Sequence, residues 1–194
     1  RCIEALEGLS QVFAEKFTIV SADAMKTDIA SLGEKPRRIV ANLPYNISTA
    51  LLINWLRQIE HIDQMTLMFQ KEVVDRLIAK PSTKAYGRLS VITQWLCETK
   101  FEFNVDKRAF TPPPKIQSSV LTLRPRTKPL YAAKFEDMEK VTATAFGQRR
   151  KMLRSSLKPL DIDISTLGID PTARAENLTI EEFCLLAKAI EGRD

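Results

Sequence analysis

"RRIVANLPYNISTALLINWL", residues 37–56, decides how this chain is read. Its opening "RRIVAN" is a short β-branched run and predicts a strand. Its close predicts a helix over 48–59, with Ser48 or Thr49 able to cap it and Leu51, Leu52, Trp55, Leu56 and Ile59 sharing one face. Between them an amide, a proline and an aromatic ring fill three of four places, Asn42, Pro44 and Tyr45, where an ordinary connection uses Gly, Ser or Asp. Pro44 fixes its own φ and pushes Leu43 into extended backbone.

The flanking sequence repeats the alternation. "FTIVSAD" (17–23) predicts a strand ending in an acid, and "TDIASL" (27–32) a helical turn. "QMTLMFQ" (64–70) predicts a buried strand; "KEVVDRLIA" (71–79) and "GRLSVITQWLCE" (87–98) predict helices. "KFEFNVD" (100–106) and "SSVLTLRP" (118–125) predict later strands, and residues 2–15 a leading helix with Ile3, Leu6, Leu9 and Phe13 on one face. Alternating strands and helices predict an α/β fold with βαβ units, a parallel sheet and later antiparallel additions. The charged, proline-containing "RPRTKPL" (124–130) marks a boundary; beyond it only helical patterns remain, at 134–146, 149–157 and 179–190. Two domains are expected, 1–128 and 129–194.

Composition narrows the class. The chain has 194 residues, 44% of them hydrophobic and 27% charged, enough for a core and inconsistent with disorder. No apolar run approaches the ~18 residues of a membrane span. Cys2, Cys97 and Cys184 are few and far apart, so free thiols in a reducing, cytoplasmic setting are expected. His61 is the only histidine, so no metal site and no Ser–His triad is expected; it is placed on a surface turn. The net charge is +5, with residues 1–128 at +6 and 129–194 at −1. The run "GQRRKMLRSSLK" (147–158) still has five cations and no acid. Arg150, Arg154 and Lys158 recur every four residues and predict one basic helix side, with Leu153 and Leu157 turned to the core.

In an open α/β sheet, ligands bind outside the carboxyl ends of the strands. Asp23, the pair Asn42 and Tyr45, and the pair Gln70 and Lys71 are all expected at such ends. Asn42 adds a side-chain carbonyl to an extended backbone whose own carbonyls cannot all pair, and Tyr45 adds a flat face. Two acceptors beside an aromatic plane suit an exocyclic amine on a flat heterocycle. Such an amine is a poor nucleophile, and aligned acceptors offset the positive charge that grows on it during alkylation. No strong general base is required. Taken alone, Asn-Leu-Pro-Tyr reads equally well as a turn cap and a packing tyrosine.

Longer stretches add to it. "NLPYNIST" (42–49), "FQKEVVDRLIAKPSTKAYGRLSV" (69–91), "AFTPPPKIQSSV" (109–120), "FGQRRKMLRSSL" (146–157) and "GIDPTARAENLTIEEF" (168–183) follow in order. Together they resemble the ribosomal RNA adenine N6-dimethyltransferases, and the triple proline and basic run resemble the KsgA type, which acts on small-subunit RNA. The resemblance implies a Rossmann-like methyltransferase domain with a small helical RNA-binding domain, and S-adenosylmethionine as cofactor. It implies that Asn42 and the Leu43 carbonyl hold the target amine, that Pro44 shapes the loop, and that Tyr45 and Phe110 are the two walls around a flipped adenine. It implies Asp23 and Ala24, with Asn42, on the cofactor side. Lys84, Arg88, Lys115, Arg149, Arg150 and Arg154 become candidate RNA contacts. The implied partner is small-subunit rRNA in a pre-mature small subunit, with the protein a monomer and two neighbouring adenines of a hairpin loop each methylated twice. Leu43, being smaller than an aromatic, is expected to leave room for the second methyl.

The family opens with a strand, a glycine-rich loop and a ribose-binding acid. The six glycines here include no G-x-G, and the chain opens at Arg1 within a helical pattern. A chain truncated at its N-terminus is therefore expected, holding the catalytic loop and the adenine side of the cofactor site. Two other readings follow from the same residues: a non-catalytic RNA-binding assembly factor, and an amine methyltransferase acting on DNA or glutamine.

Overall fold

A computed structural model describes residues 2–13 and 15–192; the predicted helix end at Ala14 and the Cys2 thiol lie outside the described residues. Four strands form one sheet in the order β1-β2-β4-β3: β1 Arg38–Asn42, β2 Gln64–Gln70, β3 Cys97–Val105 and β4 Ser118–Pro125. β1 and β2 run parallel, Asn42 beside Met68, while β4 is antiparallel to both β2 and β3. The helices are α1 Cys2–Val12, α2 Ser48–Leu56, α3 Lys71–Leu77, α4 Arg88–Leu96, α5 Phe135–Gly147, α6 Leu153–Ser156 and α7 Ile180–Ile190.

The period-two pattern of β2 sets the core. Met65, Leu67 and Phe69 point to one face and are fully buried, as are Leu121 and Leu123 opposite them on β4. These side chains join Leu51, Leu52, Trp55 and Leu56 of α2 and Val91, Ile92 and Trp95 of α4 in one cluster. The cluster continues into the C-terminal helices through Met138, Val141, Phe183 and Leu186. Trp95 joins the two parts: its indole N–H donates to the Tyr131 carbonyl at 2.7 Å and its ring lies 6.3 Å from Phe135. Glu139 of α5 reinforces the joint by accepting from Arg57, which caps the end of α2, and from Arg88 of α4. No helix of the described residues is long and apolar enough to cross a membrane.

The other sheet face is open at β1, where Val40 is 80% exposed. This explains the first departure from the sequence reading. Residues 17–23 form no strand, because no described strand lies beside them to take up their backbone groups. Their alternation survives in placement only: Thr18, Val20, Ala22 and Ala24 line one wall of a cavity of about 700 Å³ whose other wall includes Arg38, Ile39 and Val40 of β1. The leading helix likewise leaves Ile3, Leu9 and Phe13 exposed.

The basic run departs too. No helix spans 149–157. α5 ends at Gly147, residues 148–151 form a turn, and the one-turn α6 starts anew at Leu153, where the Leu153 and Arg154 N–H groups donate to the Ala173 and Pro171 carbonyls instead of continuing the first helix. Leu153 and Leu157 are buried as expected, but Arg150 precedes the helix and Lys158 lies in the 3₁₀ turn after it, so the three cations share no helix side. At α2 the cap position falls on Ile47, and Ser48 is already helical.

Two buried features give direct tests. Tyr86 is fully buried, edge-on to Phe146 at 6.2 Å, and its hydroxyl has no hydrogen-bond partner among the described residues. Burial, with a smaller push from Glu182, raises its phenol above the ordinary value. Tyr86→Phe removes an unsatisfied polar group while keeping the ring, so urea unfolding is expected to show unchanged or higher stability, by up to about 1 kcal/mol. Cys97 and Cys184 are buried, and burial pushes both thiols up to about 12. In a Cys2→Ser background, neither is expected to react with a disulfide reagent at pH 8 until the protein is denatured.

Candidate active site

The register of the sheet brings separate stretches of sequence to one rim. Parallel β1 and β2 end there at Asn42 and Gln70, antiparallel β4 begins there at Ser118, and β3 ends there at Val105. The connection 106–117, which carries Phe110 and the three prolines, therefore leaves from and returns to the rim that holds Asn42–Tyr45. Lys71 N–H donates to the Gln117 carbonyl at 2.8 Å and fastens this connection to the end of β2. The Lys71 ammonium turns instead to Asp75, one helical turn on.

Asn42 follows Val40 on the open face of β1 and is exposed. Leu43 is 4% exposed and its N–H donates to the Met68 carbonyl at 3.4 Å. Its side chain thus belongs to the core, which corrects the expectation that it shapes room for a second methyl group: the residue one step past the strand turns inward to cover the core edge. No hydrogen bond among the described residues takes up the Asn42 side-chain amide or the Leu43 carbonyl. Pro44 is exposed, and its carbonyl accepts from Ile47 N–H at 3.2 Å, closing the turn into α2. Tyr45 is half-buried; its carbonyl accepts from the Ser48 hydroxyl at 3.1 Å and its phenol shares a 2.5 Å hydrogen bond with the Ser118 hydroxyl. The sequence reading missed Ser118, although "QSSV" announces a hydroxyl at the start of a buried strand, where it needs a partner.

Phe110 is half-buried, closes the 3₁₀ turn Lys107–Ala109, and makes no ring contact among the described residues. Lys115 stands exposed in the same connection, its carbonyl accepting from Lys107 Nζ at 2.7 Å. The Asp23 Oδ1 accepts from Met25 N–H at 2.9 Å, leaving the other carboxylate oxygen without a partner. This corner is moored to α2 and the turn after it: Asn54 of α2 donates to the Met25 carbonyl, and Gln58, just past the helix, accepts from Ile29 N–H. Ala24 lines the 700 Å³ cavity beside β1.

The remaining cations divide. Lys84, Arg88 and Arg149 line a single cavity of about 710 Å³ between α3, α4 and α5, and no residue of 42–45 lines it. Arg88 and Arg149 are paired there with Glu139 and Glu176, and Ser82 N–H donates to the Glu176 carbonyl, so this loop docks on the C-terminal helices. Arg150 is exposed in the turn after α5, and Arg154 lines a separate, smaller cavity with Lys158. The six candidate RNA contacts do not all line one cavity.

Residues 4–191 match the family model described as "Ribosomal RNA adenine dimethylase". The chain belongs to that family. It is 57% identical to Ribosomal RNA small subunit methyltransferase A of Paramagnetospirillum magneticum, over 100% of this chain and 70% of the relative. It is 54% identical to the protein of the same name in Rhodospirillum rubrum, over 99% and 68%. The fold is similar to a dimethyladenosine transferase from Plasmodium falciparum, with a TM-score of 0.77 and 21% identity over 95% of this chain and 76% of that one. It is also similar to the 23S rRNA methyltransferase ErmE, with a TM-score of 0.65 and 23% identity over 97% and 78%. The sheet with its helical C-terminal region is thus the Rossmann-like architecture of the rRNA methyltransferases, and this member of the rRNA adenine dimethylase family is a methyltransferase.

Proposed function

We propose that this chain carries the adenine-holding rim of an enzyme that moves methyl groups from S-adenosylmethionine to the N6 amine of adenine in small-subunit rRNA. Two neighbouring adenines of a hairpin loop, each modified twice, are the proposed targets. The observation that carries the reading is the pair of free acceptors, the Asn42 amide oxygen and the Leu43 carbonyl, on the same short rim segment as the half-buried Tyr45. An adenine amine has two N–H donors for those two acceptors, and its ring has a face for Tyr45. Phe110, on the connection from the same rim, is the proposed second wall. An unstacked base costs a few kcal/mol to extrude, and aromatic faces return about 1–3 kcal/mol each.

The residues present fit the nucleoside end of the methyl donor. The free Asp23 oxygen can accept from an adenine amine, and Ala24 offers an apolar wall without a long side chain to displace. When bound, S-adenosylmethionine supplies an electrophilic methyl group on a sulfonium. Asn42 and Leu43 then hold the amine lone pair along one direction and balance the charge that grows on nitrogen, and the released proton passes to solvent.

The proposed partner is a pre-mature small subunit, met by a monomer through Lys115 at the rim and Arg150 and Arg154 farther out. The division into residues 1–128 and 129–194 remains the proposed assignment of chemistry to one part and RNA contact to the other. The test is incubation with methyl-labelled S-adenosylmethionine and small subunits lacking the modification, followed by nucleoside mass spectrometry. N6,N6-dimethyladenosine is the expected product. Cofactor binding with no labelled nucleoside would favour the assembly-factor reading; label in DNA or protein would favour another substrate.

A further inference from the structure

We propose that Ser118 is a positioning residue for this methyl transfer, acting by fixing the plane of the Tyr45 ring. The inference rests on Tyr45 being a wall for the target base. A tyrosine ring at a loop turns freely about two side-chain torsions. Here it is held at both ends: the Tyr45 carbonyl accepts from the Ser48 hydroxyl, and the phenol oxygen meets Ser118 Oγ at 2.5 Å. Ser118 is a suitable anchor because it cannot move alone. It is 0% exposed, and its backbone is in register with Gln70 of β2 on one side and Val105 of β3 on the other. It is also the first strand residue after the connection that carries Phe110, so one fixed point refers both proposed walls to each other.

A flat base held by its amine accepts only one ring plane if its nitrogen is to stay aligned with the incoming methyl. Misplacement of about 1 Å can cost about a hundredfold in rate. Loss of the tether leaves the ring in place but free to rotate, and a smaller loss follows. Ser118→Ala is expected to lower kcat about tenfold, with KM for the RNA changed less than about twofold because phosphate contacts dominate affinity. Tyr45→Phe breaks the same tether from the other end while keeping the stacking face. It is expected to lower kcat by the same factor, and the double variant to be no slower than either single one.

The test is steady-state methylation of small subunits by the two single variants and the double variant. It is joined by the KM for the RNA, which should change less than about twofold in both singles. Equal kcat losses without further loss in the double support the tether. A wild-type kcat in a folded Ser118→Ala or Tyr45→Phe variant, or losses that multiply in the double, overturns it. Tyr45→Ala separates the two levels. Wild-type methylation by Tyr45→Ala overturns the stacking reading itself. A slow Tyr45→Ala beside an unimpaired Ser118→Ala overturns the tether alone.

Discussion

Asn42→Ala is expected to lower kcat for adenine methylation roughly a hundred- to a thousandfold, the scale seen when one preorganised polar group is removed from a developing charge. The side chain is exposed and has no hydrogen-bond partner among the described residues, so the fold loses nothing when it is cut back. The melting temperature should stay within about a degree of the parent, since ±0.5 kcal/mol is usual for such a surface change. The same amide is what the reaction lacks when it is gone: one of two acceptors that hold the amine and offset its charge. Single-turnover rates and a thermal melt on the same preparation check both halves. A large drop in melting temperature would mean that Asn42 serves the turn and not the base.

Trp95→Ala is expected to have the largest effect on stability, a loss of about 3–5 kcal/mol in urea unfolding. The side chain is 1% exposed, and its indole N–H reaches the Tyr131 carbonyl where the chain enters its C-terminal helices. Truncation opens a cavity between α4 and Phe135 and leaves that carbonyl without its donor. Since 5–15 kcal/mol is the usual total, such a variant sits near the edge of folding. Trp95→Phe keeps most of the volume and should recover more than half of the loss. If both variants unfold at the parent's urea midpoint, the single core running through Trp95 is wrong.

Much of the sheet was readable because burial writes itself into alternation. β2 and β4 occupy the expected residues 64–70 and 118–125, where apolar side chains are bounded by polar ones on both sides. Residues 17–23 carry the same alternation and form no strand, because alternation records facing while a strand also needs a neighbour for its backbone. The basic run misled for a related reason. Cations every four residues fit a helix, but nothing in their spacing records that Leu153 and Arg154 N–H pair with a loop some twenty residues on. At the rim, the positions of Asn42 and Tyr45 followed from strand ends, and Phe110 came from the resemblance alone. The inward turn of Leu43 and the Tyr45–Ser118 bond did not, since both depend on partners far along the chain. Nor does spacing record the pairing of Arg57 with Glu139, 82 residues away.

The account stands on an amine alkylated between oriented acceptors without a side chain to remove its proton. His61, the only histidine, lies in the turn after α2 beside Glu60 and not at the rim. The measurement that bears on this most directly is the single-turnover rate of adenine methylation from pH 6 to pH 9, with enzyme and methyl donor in excess over small subunits. A flat profile is predicted, since no group at the rim must lose a proton first. A rate that climbs about tenfold per pH unit to a plateau within that range would contradict it.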